Sequence, residues 1–273
     1  MKRRRIAAVV RVELKSLFRS TDYWLPMVLM AALFFVIIPG LLLLMVDRAQ
    51  GNRLVNELSD LIGSLPSAVQ DNVQGDTERA QSSFVLAVYL LAPVAIVVPL
   101  TISSAVGANT IVGERERGTG EFLAHSPLGE DDIYIGKLIA SLIPGFLATG
   151  VGFGAYSLIV NLIVGPQVGG WFFPTAGWWL LILWVVPPFI AVALSVILRL
   201  SARVKSAAAA QQAATLVALP TILASYFISS GLFYDPTIAA IFVGGFAWML
   251  AGFGIARGRR AIKRERLLGV ASN

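Results

Sequence analysis

Apolar residues in this chain do not alternate with polar ones; they come in long runs separated by short charged segments. Six runs, 24–46, 84–112, 133–164, 177–198, 207–234 and 236–256, each approach or exceed the roughly 20 residues that a helix needs to cross hydrocarbon. They predict an all-α polytopic membrane protein, with residues 1–273 forming a single transmembrane domain. The second and third runs are longer than a bilayer requires, so their inner ends should tilt or project into the cytosol. Only Tyr234-Asp235-Pro236 separates the last two, and Pro236 lacks the backbone donor that a continuous helix would need there.

The segments between the runs carry their own patterns. In residues 1–22, Ile6, Val9, Val10, Leu14, Leu17 and Phe18 recur at helical spacing, set apart from Arg11, Lys15 and Arg19. That pattern predicts an amphipathic helix lying at the membrane surface, with a plain cytosolic extension of the first span as the alternative. It is not a cleavable signal, because Arg11, Glu13, Lys15 and Arg19 precede any apolar run. The loop 47–83 is expected outside the membrane. There Leu54, Leu58, Leu61, Ile62 and Leu65 suggest a short amphipathic helix, and six acidic residues face three basic ones. Its 37 residues are too few for a domain with its own core. The uncharged stretch 165–176 carries Trp171, Phe172 and Phe173, an expected anchor in the outer interface that Trp178 and Trp179 extend. Tyr23 and Trp24 mark the inner end of the first span.

Composition agrees with this reading: 56% of residues are hydrophobic and 14% charged, against roughly 25% charged in a soluble domain. Charge placement sets the orientation. Of 22 lysines and arginines, seven fall before the first run, three in 113–137, three in 199–205 and six in the tail from Arg257 to Arg266. Arg48, Arg53 and Arg79 are the exceptions. The positive-inside rule therefore puts both termini and 113–137 in the cytoplasm of a multi-pass cell-membrane protein. The basic pI of about 9.9 is topogenic on this account, and no nucleic-acid partner is implied. The tail 257–273 is read the same way, with contact to anionic membrane lipid or to a partner as the alternative. The chain has no cysteine and one histidine, His125, which excludes disulfides and thiolate metal sites.

The spans also exclude several mechanisms. No Asp, Glu, Lys or Arg occurs in 84–112, 138–164, 177–198, 207–234 or 236–256. Coupling to a proton or sodium gradient usually needs a buried carboxylate, and intramembrane proteolysis needs an Asp pair, a zinc cluster or an activated serine. Neither set is present. No Gly-x-x-x-x-Gly-Lys-Ser/Thr loop occurs; Gly113 and Gly118 have the spacing, but Thr119 stands where lysine is required. Energy must therefore come from another chain. Gly150, Gly152 and Gly154 lie mid-span with no strand before them, so they predict close helix packing and not a nucleotide site. Pro39, Pro93, Pro99, Pro144, Pro187, Pro188 and Pro220 fall within spans and are expected to kink them. Thr101, Ser103, Ser104, Asn109, Asn161, Ser225 and Ser229 are candidates to line a path, with hydrogen bonding between helices as the alternative.

The stretch 113–137 is the most charge-dense part of the chain. Glu114, Arg115, Glu116 and Arg117 continue the second span, and Arg117 and Glu121 share a helix face four residues apart. Phe122 and Leu123 make an apolar tip, and Ser126-Pro127 breaks the helix. Gly129 then opens a new helix whose first turn, Glu130, Asp131 and Asp132, complements its dipole. The expected shape is a cytosolic elbow between two spans.

The sequence Gly-Glu-(four residues)-Gly-Thr, then Ser-Pro, then Ile-Tyr-Ile-Gly-Lys resembles the type-2 permeases of ABC transporters, which have the type V exporter fold. The matching residues are Glu114, Gly118, Thr119, Pro127, Gly136 and Lys137. The resemblance implies a permease subunit that is not itself an ATPase. It implies two copies of an ATP-binding partner subunit, which would hold ATP and Mg, and a second permease chain as homodimer or heterodimer. Residues 114–125 would be the coupling helix. Glu114, Arg115, Arg117, Gly118, Thr119, Glu121, Phe122, Pro127, Gly136 and Lys137 would then form the ATPase-coupling site. The implied activity is outward movement of a hydrophobic or amphipathic substrate. The alternative is a mechanical transmitter that drives an extracytoplasmic partner through 47–83 without transporting a solute; a passive scaffold would have no ATPase partner. Gly120-Glu121 and the acidic 130–132 depart from the family pattern and imply a more basic docking groove on the partner.

Overall fold

The computed structural model describes residues 2–48, 53–116, 126–204, 206–229 and 236–259, and among these every regular element is helical. The α-helices are α1 (Lys2–Arg19), α2 (Thr21–Ala32), α3 (Ile38–Asp47), α4 (Arg53–Ser64), α5 (Ser67–Gln70) and α6 (Glu78–Val85), followed by α7 (Val94–Glu116) and α8 (Glu130–Ile163). The last four are α9 (Ala176–Leu180), α10 (Val186–Ser201), α11 (Ala207–Ser229) and α12 (Pro236–Arg259). Among the described residues five stretches are long and apolar enough to cross a bilayer: Tyr23–Asp47, Glu78–Thr110, Glu130–Gln167, Ala176–Ser201 and Thr237–Gly258. Helix α11, expected as a sixth span, has 23 residues, and the end of that expected run, 230–234, lies outside the described residues. Tyr234 and Asp235 of the expected turn lie outside the described residues, as do 260–273 of the basic tail, while Pro236 opens α12.

Burial sorts these helices into a centre and a rim. The apolar stretches of Glu78–Thr110 and Ala176–Ser201 are 72% and 67% buried, whereas those of Tyr23–Asp47 and Thr237–Gly258 are 17% and 28% buried. Helix α7 is the hub, packed on α8, α10 and α11, with α10 also carrying α12. The rim presents Leu29, Leu216, Phe242 and Phe253 outward. Such a surface suits lipid tails and would be unfavourable in water.

Three prolines act through π-helical segments. Leu33–Ile37 precedes Pro39, Leu86–Leu90 precedes Pro93, and Leu181–Val185 precedes Pro187. Each proline removes a donor one turn on, and widening the preceding turn re-routes the bonds that are left. Pro99, Pro144 and Pro220 instead remain inside continuous α-helices. At the middle segment, Leu91 N–H donates to Leu86 O and Ala92 N–H to Tyr89 O, while Pro93 has nothing to donate. The carbonyls of Ala87 and Val88 are instead capped from outside the helix. Tyr156 Oη donates to Ala87 O at 2.6 Å and Trp178 Nε1 to Val88 O at 2.9 Å.

Those two donors belong to an aromatic cluster at the end of the bundle opposite α1. Trp178 stacks on Tyr156 at 5.1 Å and meets Phe173 edge-on at 4.9 Å. Trp171 is exposed, as an interfacial anchor should be, but Phe173 and Trp178 are buried. The anchor expected across 171–179 is thus half core. Asn161 closes the cluster: Phe172 N–H and Phe173 N–H donate to its Oδ1, and its Nδ2 donates to Phe173 O at 2.6 Å.

The loop 47–83 is more ordered than its polarity suggested. Helix α4 forms where an amphipathic helix was expected, burying Val55 and Leu58 and leaving Leu54 exposed. The second transmembrane helix begins at Glu78, six residues before the expected 84. Thr77 caps it by accepting from Ala80 N–H, and beside the buried Ala80 the small Ser82 and Ser83 are buried despite their polarity. Of the three mid-span glycines, Gly152 meets the Phe35 ring so closely that a Cβ would overlap it, while Gly150 and Gly154 face open space.

Candidate functional site

The segment expected to couple to a partner runs from the end of α7 to the start of α8. Glu114 and Arg115 lie in the last turn of α7, with their side chains outside the described residues. Arg117, Gly118, Thr119, Glu121 and Phe122 lie outside the described residues altogether. Ser126-Pro127 forms a bend with Pro127 exposed, and Gly129 is the extended N-cap of α8, as the sequence predicted. Ile133 N–H returns to Gly129 O at 3.1 Å, and Glu130, Asp131 and Asp132 occupy the dipole-stabilised first turn.

The next turn of α8 carries the Gly136-Lys137 pair, and here three helices meet. The Lys137 side chain is fully buried. Its Nζ donates to Glu13 Oε1 of α1 at 2.6 Å and to Thr110 O of α7 at 2.9 Å. The Glu13 side chain keeps 17% exposure. Both bonds are charge-assisted, and the lysine amine satisfies a second lone pair on a helical carbonyl. Gly136 makes the approach of α1 sterically feasible, since a Cβ there would lie 2.6 Å from Val9, itself buried. Around this point Ser141 Oγ donates to Lys137 O at 2.9 Å and Ser201 Oγ of α10 donates to Ala108 O at 2.6 Å. Gly258 of α12 lies directly against Tyr134. Helices α1, α7, α8, α10 and α12 are therefore tied together beside the connection between α7 and α8.

The cores of the spans remain free of charge as expected, but Lys137 sits within helix Glu130–Gln167 and is shielded from solvent. A buried ammonium is tolerated only with a partner, and Glu13 supplies one. Sequence reasoning selected Lys137 and missed Glu13. The available signal was its isolation: it is the single acid among seven cations in residues 1–21.

Of the candidate path residues whose side chains are described, the three on α7 lie far from Asn161 on α8. Thr101, Ser104 and Asn109 lie on α7, where Thr101 donates to Val97 O and Asn109 to Ala105 O. Ser104 is buried, and its hydroxyl has no hydrogen-bond partner among the described residues. Gly145 of α8 packs on Ser103 and Pro99 at the level of this group, and Asn161 lies about 24 Å farther along α8 at 1.5 Å per residue. Ser225 and Ser229 are on α11, with side chains outside the described residues. Among the described residues no group of acidic or histidine side chains is arranged to hold a metal ion.

The family model described as ABC-2 family transporter protein matches residues 7–251, from the first turns of α1 into the last turns of α12. No curated protein matches the chain.

Proposed function

We propose, from the premise that this chain belongs to the ABC-2 transporter family, that it uses the α7–α8 connection to receive motion from an ATP-binding partner. It is the permease subunit of an ABC transporter, a multi-pass membrane protein whose family partners with ATP-binding subunits. In the proposal two such subunits, holding ATP and Mg, dock at 114–125 on a pair of permease chains. The pair then moves a hydrophobic or amphipathic substrate outward. Both termini and the docking segment face the cytoplasm.

The observation that carries this reading is the Lys137 clamp. A push on the connection would otherwise be absorbed by rotation of two independent helix ends. With Lys137 bridging α7 and α8, and Glu13 adding α1, the three move as one body. Because α7 is the central helix, displacement of its cytoplasmic end reaches α10 and α11 directly. The charge-free interior suits a greasy substrate, since an unpaired ion crossing it would face a steep desolvation cost.

The test is reconstitution. Co-expressed with its ATP-binding subunit, the chain should copurify with it, and deletion of 114–125 should abolish both copurification and stimulated ATP turnover while leaving the permease folded. Transport down an ion gradient by this chain without any ATPase would sink the proposal.

A further inference from the structure

Beside the clamp, α1 ends and the chain turns into the first span, leaving an open groove between that span and α8. Phe18, Trp24, Val28, Pro144, Ala148 and Val151 are among its walls, and its volume is about 320 Å³. Its lining is almost wholly apolar. On the first span it extends from Trp24 to Val36, about 18 Å at 1.5 Å per residue. That is close to one leaflet of a hydrocarbon core about 30 Å thick. The α1 residues on either side of Phe18 in sequence are of a different kind. Lys15 lies three residues before Phe18 and Arg19 one after it, both are exposed, and neither forms an ion pair among the described residues. Arg11 continues this cationic row along α1 at the same spacing of four.

We propose that this groove is a binding site for an anionic glycerophospholipid, one acyl chain lying between the first span and α8 and the phosphate held by Lys15 and Arg19. Three observations fit one occupant. The groove has the length of a single leaflet, the Trp24 indole N–H is the one side-chain hydrogen-bonding group among its lining residues, and the exposed cations Lys15 and Arg19 flank Phe18 in sequence at its α1 end. A membrane-facing groove left empty would forfeit dispersion contacts along both helices, and a lipid tail restores them. The bound lipid would also brace the joint between α1 and the first span, next to the point where Glu13 meets Lys137.

The experiment uses the full chain in phosphatidylcholine nanodiscs with a trace of phosphatidylglycerol carrying a diazirine in mid acyl chain. Photolabelling should concentrate on residues 24–36 and 144–155. Changing Lys15→Gln or Arg19→Gln should each lower labelling by phosphatidylglycerol about fivefold at low salt, the weight of one basic residue at an anionic surface. Labelling by a matched diazirine phosphatidylcholine should be unaffected by those changes. Both substitutions are at exposed positions, so folding is preserved. Ala148→Phe, which fills the groove, should reduce labelling by both lipids. Labelling spread evenly over the lipid-facing surface, or phosphatidylglycerol labelling that survives both charge changes, would overturn the proposal. So would cross-links from groove residues to a second copy of the chain.

Discussion

Replacing Lys137 by methionine removes the charge that joins α1, α7 and α8 but keeps a side chain of similar length. It strands the Glu13 carboxylate, whose side chain is 17% exposed, and leaves Thr110 O without its extra donor. Breaking a buried pair from one side costs about 3–5 kcal/mol. Partial exposure lets Glu13 draw on solvent, so the lower end, about 3 kcal/mol, applies. The opposite change, Glu13→Leu, strands an ammonium with no exposure at all, and the upper end, about 5 kcal/mol, is expected. The double variant Glu13→Leu/Lys137→Met leaves no charge behind, and replacing a buried pair by well-packed apolar groups is often neutral. It should therefore be more stable than either single variant and within about 1 kcal/mol of the parent. Reversible unfolding in mixed micelles, followed by far-UV circular dichroism, gives all four corners of the cycle. If the double variant loses as much as the two single variants together, the charges do not act on one another and the clamp is refuted. If the double variant is stable but no longer stimulates its partner ATPase, the pair has a role in coupling beyond holding the fold.

Two further outcomes test the packing. Gly152→Ala should destabilise by about 1–3 kcal/mol because its Cβ would overlap the Phe35 ring, and Phe35→Leu should recover part of that loss. Gly150→Ala, facing open space in the same helix, should be neutral or stabilising by up to about 1 kcal/mol in the same unfolding assay. Tyr156→Phe removes only the hydroxyl that caps the buried Ala87 carbonyl, and should cost about 1–3 kcal/mol; a loss near zero would mean that Ala87 O finds another donor.

The helical class, the place of most spans and the break at Ser126-Pro127 were legible because they rest on run length and on proline and glycine chemistry. Less was legible where polar residues are buried by tertiary contact. Ser82 and Ser83 read as loop, yet they lengthen the second span at its N-terminal end because Thr77 caps the helix and neighbours cover the small side chains. Trp178 read as an interfacial anchor, but Val88 O gives its indole N–H a partner inside the protein. Asn161 read equally as a path residue or as a hydrogen-bonding one, and its amide is engaged by the backbone of Phe172 and Phe173. In each case the deciding partner lies elsewhere in the chain, and no local pattern carries that information.

The same reasoning explains why the clamp was half visible. A lysine opening a span is visible in sequence, as is a lone acid in a cationic helix, but 124 residues separate Glu13 from Lys137. Their pairing depends on Gly136, whose missing side chain lets Val9 and the rest of α1 reach α8. The glycine and the lysine thus act at one place by different means: one admits the surface helix, the other holds it. Gly136→Ala should therefore mimic the loss of the ion pair while both charged residues are still present.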